Sequence, residues 1–179
     1  MQGASPVRLR RTRLETLADV FRYYVAGNRS ERATGKEGPR VQRFFGDDGF
    51  QFATLIALGS AHRGLADVGE VLSTIDRVPE GDREAWVTEW QATANRLAEA
   101  ADASSSSGHS VSARSANLRA SLYFDLASSM APGTEDPDRF DTLWTRSREL
   151  WDRAVDLWPT PVEQIHIPYE STALDGYLF

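Results

Sequence analysis

His109 stands between Ser107 and Ser110, with Ser112 three residues further on. An imidazole among hydroxyls is the material of nucleophilic catalysis: the ring takes a serine proton and the oxygen attacks an acyl carbon. That chemistry also needs a third group to hold the base in line. Sequence neighbours at a helix start rarely meet this condition. Capping, or packing of His109 under a neighbouring domain, is the main expectation, with catalysis the lesser one. The other histidines, His62 and His166, do not pair at metal-ligand spacing, and no His-Glu-x-x-His occurs. No zinc site, other metal or cofactor is therefore expected. Phosphate-cradling Gly-x-x-x-x-Gly-Lys-Ser/Thr and Gly-x-Gly-x-x-Gly runs are absent, as is a Gly-x-Ser-x-Gly nucleophile elbow.

Arg119 is the other residue that stands out. It lies in the middle of an apolar helical pattern, so it is either a salt-bridged or snorkelling arginine or an anchor for a partner domain or substrate group. Tyr123 follows one turn later. Trp86 and Trp90 sit one turn apart and read as core anchors, with pocket lining the minority reading. The acidic group Glu135, Asp136, Asp138 and Asp141 lacks the spacing of a calcium loop and reads as an acidic helix start.

These residues need helices to place them. Val111, Leu118, Leu122, Leu126 and Met130 recur at helical spacing, joined by Ala113, Ala116, Ala120 and Ala127. Small residues on several sides let neighbours approach closely, so the helix after Gly108 should be central in a bundle. Phe50, Ala53, Thr54, Ala57 and Leu58 form another face, after the Gly46-Asp47-Asp48-Gly49 turn. Asp67 with Glu70 resembles a capping box for a short helix bearing Val68, Val71, Leu72 and Ile75. Asp82 caps a long helix whose stripe is Trp86, Trp90, Thr93, Ala94, Leu97 and Ala101. Ala103 to Ser107 reads as a polar loop. Thr134 or Asp138 caps a last helix from Phe140 to Trp158, stopped by Pro159 and Pro161. The period then changes. Val162, Ile165 and Ile167, a polar turn at Glu170-Ser171-Thr172, and Leu174 to Phe179 predict a β-hairpin.

The chain of 179 residues is 41% hydrophobic, enough for one domain with its own core. Its formal charge of -6 argues against a nucleic-acid or anionic-membrane binder. The one basic cluster, Arg8, Arg10, Arg11 and Arg13, belongs to a terminus without apolar periodicity. No apolar run could span a bilayer, and no signal-peptide core follows the arginines. Absence of cysteine removes disulfides and thiolate chemistry and fits a cytoplasmic location.

Several stretches together resemble one family. Phe44-Phe45-Gly46-Asp47-Asp48-Gly49-Phe50 and Ala66-Asp67-Val68-Gly69-Glu70-Val71-Leu72 look like the N-terminal helical region of a group of α/β-hydrolases. So do Trp86-x-x-x-Trp90, Gly108-His109-x-x-Ser112-Ala113-Arg114 and Leu118-Arg119-Ala120-Ser121-x-Tyr123. The ending Ile167-Pro168-Tyr169-Glu170-x-Thr172-x-Leu174-x-Gly176-Tyr177 is similar to that group's first β-hairpin. The group comprises dihydroxypseudooxynicotine hydrolase-like enzymes, fungal polyketide-shortening hydrolases and dipeptidyl-aminopeptidase-like esterases. Asn117 departs from it, standing where the group tends to have an aromatic, and the serine run before Gly108 looks variable.

The resemblance implies a mainly α fold of five to six helices, ending in a hairpin that would begin an α/β-hydrolase sheet. It covers about Phe44 to Phe179 and implies a helical lid bundle (41–160) and the first hairpin of the hydrolase domain (161–179); ahead of it, the lack of apolar periodicity at the start and the helical spacing of Leu14, Leu17, Val20, Phe21, Tyr24 and Val25 predict a mobile arm with one short helix (1–40). The resemblance also implies a lid over a serine hydrolase acting on an ester, an amide or an activated carbon–carbon bond next to a carbonyl. The triad would lie after Phe179, so the chain alone should be inactive and no catalytic residue carries over. His109, Ser112, Arg119 and Tyr123 match family positions and, with Trp86 and Trp90, are candidates for the pocket or the lid core. The expected partner is a small-molecule substrate reached through the hydrolase core, with no nucleic acid and no membrane; a homodimer is open to the unpaired hairpin. The alternative is a non-enzymatic, tetratricopeptide-like binding module, suggested by Trp144 to Pro159; no fixed internal period supports it.

Overall fold

Asp47 opens the first helix by accepting the N–H groups of Gly49 and Phe50, two donors that a helix start leaves without partners. The computed structural model describes residues 42–179, and the arm expected over 1–40 lies outside them. The first helix, α1, runs Asp48–Ser60. Helices α2 (Val68–Ile75) and α3 (Arg83–Ser106) begin in the same way on Asp67 and Asp82. They are followed by α4 (Ser110–Met130) and α5 (Arg139–Asp156). Strands β1 (Glu163–Tyr169) and β2 (Thr172–Leu178) then pair antiparallel across a turn at Glu170 and Ser171. The fold is the expected one, with five α-helices among the described residues and a terminal hairpin. Helices and hairpin belong to one unit, Phe44–Phe179. No helix among the described residues is long and apolar enough to cross a membrane.

α4 is the central helix, packed on α3 along one side and α5 along another. Its small residues make this possible: Ala113, Ala116, Ala120 and Ala127 are all buried. Short links produce the antiparallel arrangement of α3, α4 and α5. Between α3 and α4, Gly108 takes a left-handed conformation (φ 75°). The His109 N–H then reaches back to the Ser104 carbonyl at 2.8 Å, and the Gly108 N–H to Ser105 at 3.0 Å. This is a Schellman ending, which satisfies carbonyls at the helix terminus.

Two expectations are corrected. Ala103 to Ser106 is helix, not loop, because a well-capped helix carries serines on a solvated face at little cost. Ser106 returns its hydroxyl to the Asp102 carbonyl at 2.9 Å. Val111, counted in the apolar stripe, is 66% exposed, because it lies in the first turn of α4, ahead of its buried face. Of the two suggested caps for α5, Asp138 is at the N-cap but makes no side-chain bond to the helix start. Thr134 instead closes its own turn on the Ala131 carbonyl.

Candidate functional site

The sequence candidates fall into two places. Trp86, Trp90 and Tyr123 are fully buried where α2, α3 and α4 meet. A run of aromatic contacts joins them: Phe50 to Trp86 at 4.5 Å, Trp86 to Trp90 at 5.6 Å, Trp90 to Tyr123 at 5.2 Å between ring centres. Tyr123 ends this run in a polar knot. Its hydroxyl accepts the Asp67 N–H at 2.9 Å and donates to Glu70 Oε2 at 2.9 Å. Arg119 Nε donates to the same Glu70 oxygen at 3.0 Å, and Arg119 Nη1 to Ser115 at 2.8 Å. Arg119 is thus a salt-bridged residue tying α4 to α2. Burial pushes the Tyr123 phenol well above its ordinary range, and the Glu70 carboxylate adds to the effect.

His109 and Ser112 lie apart from this knot, at the solvent-exposed start of α4. His109 occupies the N-cap position without bonding the helix through its ring. No hydrogen bond joins it to Ser107, Ser110 or Ser112, so the apparent serine–histidine pair is not assembled. Among the described residues no group of three His, Asp or Glu side chains is placed to hold a metal ion.

A cleft of about 530 Å³ opens elsewhere, between α4, α5 and the hairpin. Leu118, Leu122 and Asp125 supply one wall from successive turns of α4, and Trp144, Arg148 and Trp151 the facing wall from α5. Tyr177 and Asp175 reach in from β2. At its base Ser147 donates to the Ser121 carbonyl at 2.8 Å, tying the helices together. The Tyr177 hydroxyl accepts from Arg148 Nη2 at 2.8 Å and donates to the Asp152 carboxylate. Arg148 also sits over the Tyr177 ring, 5.6 Å from its centre. Asp125 has no hydrogen bond or ion pair through its carboxylate among the described residues, and burial raises its pKa above the ordinary carboxylate value.

This cleft escaped the sequence reading. Trp144 and Trp151 fall at the helical spacing of core residues, yet Trp144 is 48% exposed and both line the cleft. A seven-residue spacing in both walls was the available signal. The lining can bind and orient a ligand. It holds no serine–histidine–acid arrangement, since neither Ser121 nor Ser147 bonds a histidine.

No protein-family model matches the chain. Individual relatives do. The Alpha/beta hydrolase xenA of Xenoacremonium sinensis is 37% identical over 131 residues, covering 73% of this chain and 30% of the relative. The Alpha/beta hydrolase pydG of an Acremonium species is 35% identical over 131 residues, with the same coverage of 73% and 30%. The Hydrolase acrC of Aspergillus aculeatus is 43% identical over 82 residues, 46% of this chain and 19% of the relative. The chain carries an α/β-hydrolase-type region. It spans about 30% of the length of the first two of these hydrolases. Their names do not favour the helical-repeat alternative. In this α/β-hydrolase-type region the described cleft is the place where the helical bundle meets the hairpin.

Proposed function

We propose that the helical part of the chain is the lid of a serine α/β-hydrolase and that the cleft is its share of the substrate pocket. The observation that carries this reading is the double origin of the cleft's walls. Helices α4 and α5 supply two sides and β2 the third, so a pocket lies where a lid would meet a sheet. A volume of about 530 Å³ falls in the range of small-molecule pockets, roughly 300–1,000 Å³. The substrate is a small molecule with an ester, an amide or an activated carbon–carbon bond next to a carbonyl. A serine of the hydrolase core attacks that carbonyl, a histidine carries the proton, and backbone N–H groups stabilise the oxyanion. The lid excludes water and orients the substrate. The negative charge of the chain supports an absence of nucleic-acid partners.

The outer hairpin face supports the same reading. Ile167, Tyr169 and Leu174 are each about half exposed there, an apolar surface suited to burial under the remainder of a sheet. In isolated chains that face and the strand edges are where a second copy would pair.

Two measurements test the proposal. Purified residues 1–179 mixed with a chromogenic ester are expected to release no burst of product; a burst stoichiometric with protein would overturn the division into lid and core. The coding sequence past the Phe179 codon is expected to continue into further strands and a Gly-x-Ser-x-Gly. A stop codon there would overturn the lid assignment.

A further inference from the structure

We propose that the cleft binds a small aromatic ammonium ion, its cation on Asp125 and its ring against Trp144 and Trp151. The inference rests on the cleft being a pocket, as the lid reading has it, and adds the chemistry of what enters.

Asp125 is the starting point. It sits half-buried on the α4 wall with its carboxylate unpartnered among the described residues. A carboxylate partly withdrawn from water and without a protein partner is less well solvated than in bulk, and an arriving ammonium supplies both the opposite charge and up to three donors. The cleft's own cation is not available for this. Arg148 donates to Tyr177 at 2.8 Å and lies 4.0 Å from Asp152. The other charged group lining the cleft is acidic: Asp175 from β2, bonded to His166 at 2.5 Å. Carboxylates therefore outnumber fixed cations, which repels an anionic ligand. The aromatic walls complete the selection. Trp144 is 48% exposed, and Trp151 lines the same wall one heptad further along α5. Indole faces attract cations and stack on flat rings.

The experiment titrates residues 1–179 with benzylammonium, benzyl alcohol and phenylacetate, three probes of similar shape and different charge. Binding is read by tryptophan fluorescence and confirmed by calorimetry. Benzylammonium is expected to bind about tenfold more tightly than benzyl alcohol, with phenylacetate weakest. Asp125→Asn should abolish that preference while leaving the alcohol's affinity unchanged. In the unaltered chain the preference should weaken as pH falls and Asp125 takes up a proton. Asp152, Asp175 and His166 all remain in the Asn variant, so loss of the pH slope there assigns it to Asp125. Equal binding of the three probes, or a preference that survives Asp125→Asn, would overturn the ammonium assignment and leave the pocket intact. Failure of every probe to bind at millimolar concentration would likewise overturn the ammonium assignment. The lid reading itself stands or falls separately, on the coding sequence past Phe179.

Discussion

The Tyr123 hydroxyl donates to Glu70 Oε2 at 2.9 Å, joining residues 53 apart in the chain. It also takes the Asp67 N–H, the donor that Glu70 would bond in a closed capping box. One phenol is thereby inserted into the start of α2 and fixes that helix to α4. Tyr123→Phe should cost about 1–3 kcal/mol, because it leaves a half-buried N–H without its acceptor. Urea unfolding followed by circular dichroism measures this. A loss below about 0.5 kcal/mol would mean that water replaces the hydroxyl.

The same phenol predicts an alkaline weakness. Burial raises the Tyr123 pKa above its unfolded value, so the folded chain holds that proton where the unfolded chain has released it. Stability from this group is complete below the unfolded phenol pKa of 10.0 and declines as pH rises above it. Phenolate absorbance of Tyr123, obtained by difference from Tyr123→Phe, should therefore appear together with loss of the helical signal. Ionisation at an ordinary phenol pKa in a fully folded chain would contradict the buried geometry.

Asp125 gives the opposite opportunity. Its carboxyl pKa is raised by burial, so the folded chain binds more protons than the unfolded chain between the unfolded value of 3.8 and the raised one. Stability falls as pH rises through that window, and the penalty persists at neutral pH. Asp125→Asn should therefore raise stability at pH 7, by about 0.5–2 kcal/mol as single stabilising substitutions commonly do. The gain should vanish below the unfolded carboxylate pKa. A destabilised variant at neutral pH would show that the carboxylate has an unseen partner.

The helix starts and the hairpin were legible because each has a local physical mark. Asp47, Asp67 and Asp82 act as caps through their own side chains, and the change from helical to alternating spacing after Pro161 marks the strands. The Tyr123 knot was only half legible: spacing suggested Asp67 with Glu70, but nothing local shows that a side chain 53 residues away intervenes. The cleft was not legible. Trp144 and Trp151 have the same helical spacing as the buried Leu143 and Leu150. Periodicity shows that a face meets protein, not whether the facing space is filled. A lone acid such as Asp125 looks like a solvated position until its surroundings are known.

Gly108 joins α3 to α4 with a φ of 75°, where a Cβ would meet no neighbouring atom. Space is therefore not at issue; backbone conformation is. Gly108→Ala should cost about 1 kcal/mol, through the strain of a side chain in the left-handed region. Gly108→Asn should recover part of it, since asparagine tolerates that region. Equal stabilities of glycine, alanine and asparagine at this position would mean that the Schellman ending is not maintained in solution.

Trp86 and Trp90 test how the centre of the helical unit is held. Both are fully buried, and Trp90→Ala should cost about 3–5 kcal/mol, as large aromatic truncations in cores do. Their indole N–H groups differ. Trp86 Nε1 donates to the Leu126 carbonyl at 2.9 Å, tying α3 to α4, whereas Trp90 Nε1 is buried without an acceptor. Replacement by phenylalanine keeps a ring in each place and removes only the outer part of the indole. Trp86→Phe also loses a hydrogen bond, worth about 0.5–1.5 kcal/mol net. Trp90→Phe relieves a donor that had none. Trp86→Phe should therefore be the more destabilising of the two by about that amount in chemical denaturation. The reverse order would place an acceptor, such as a buried water, beside Trp90.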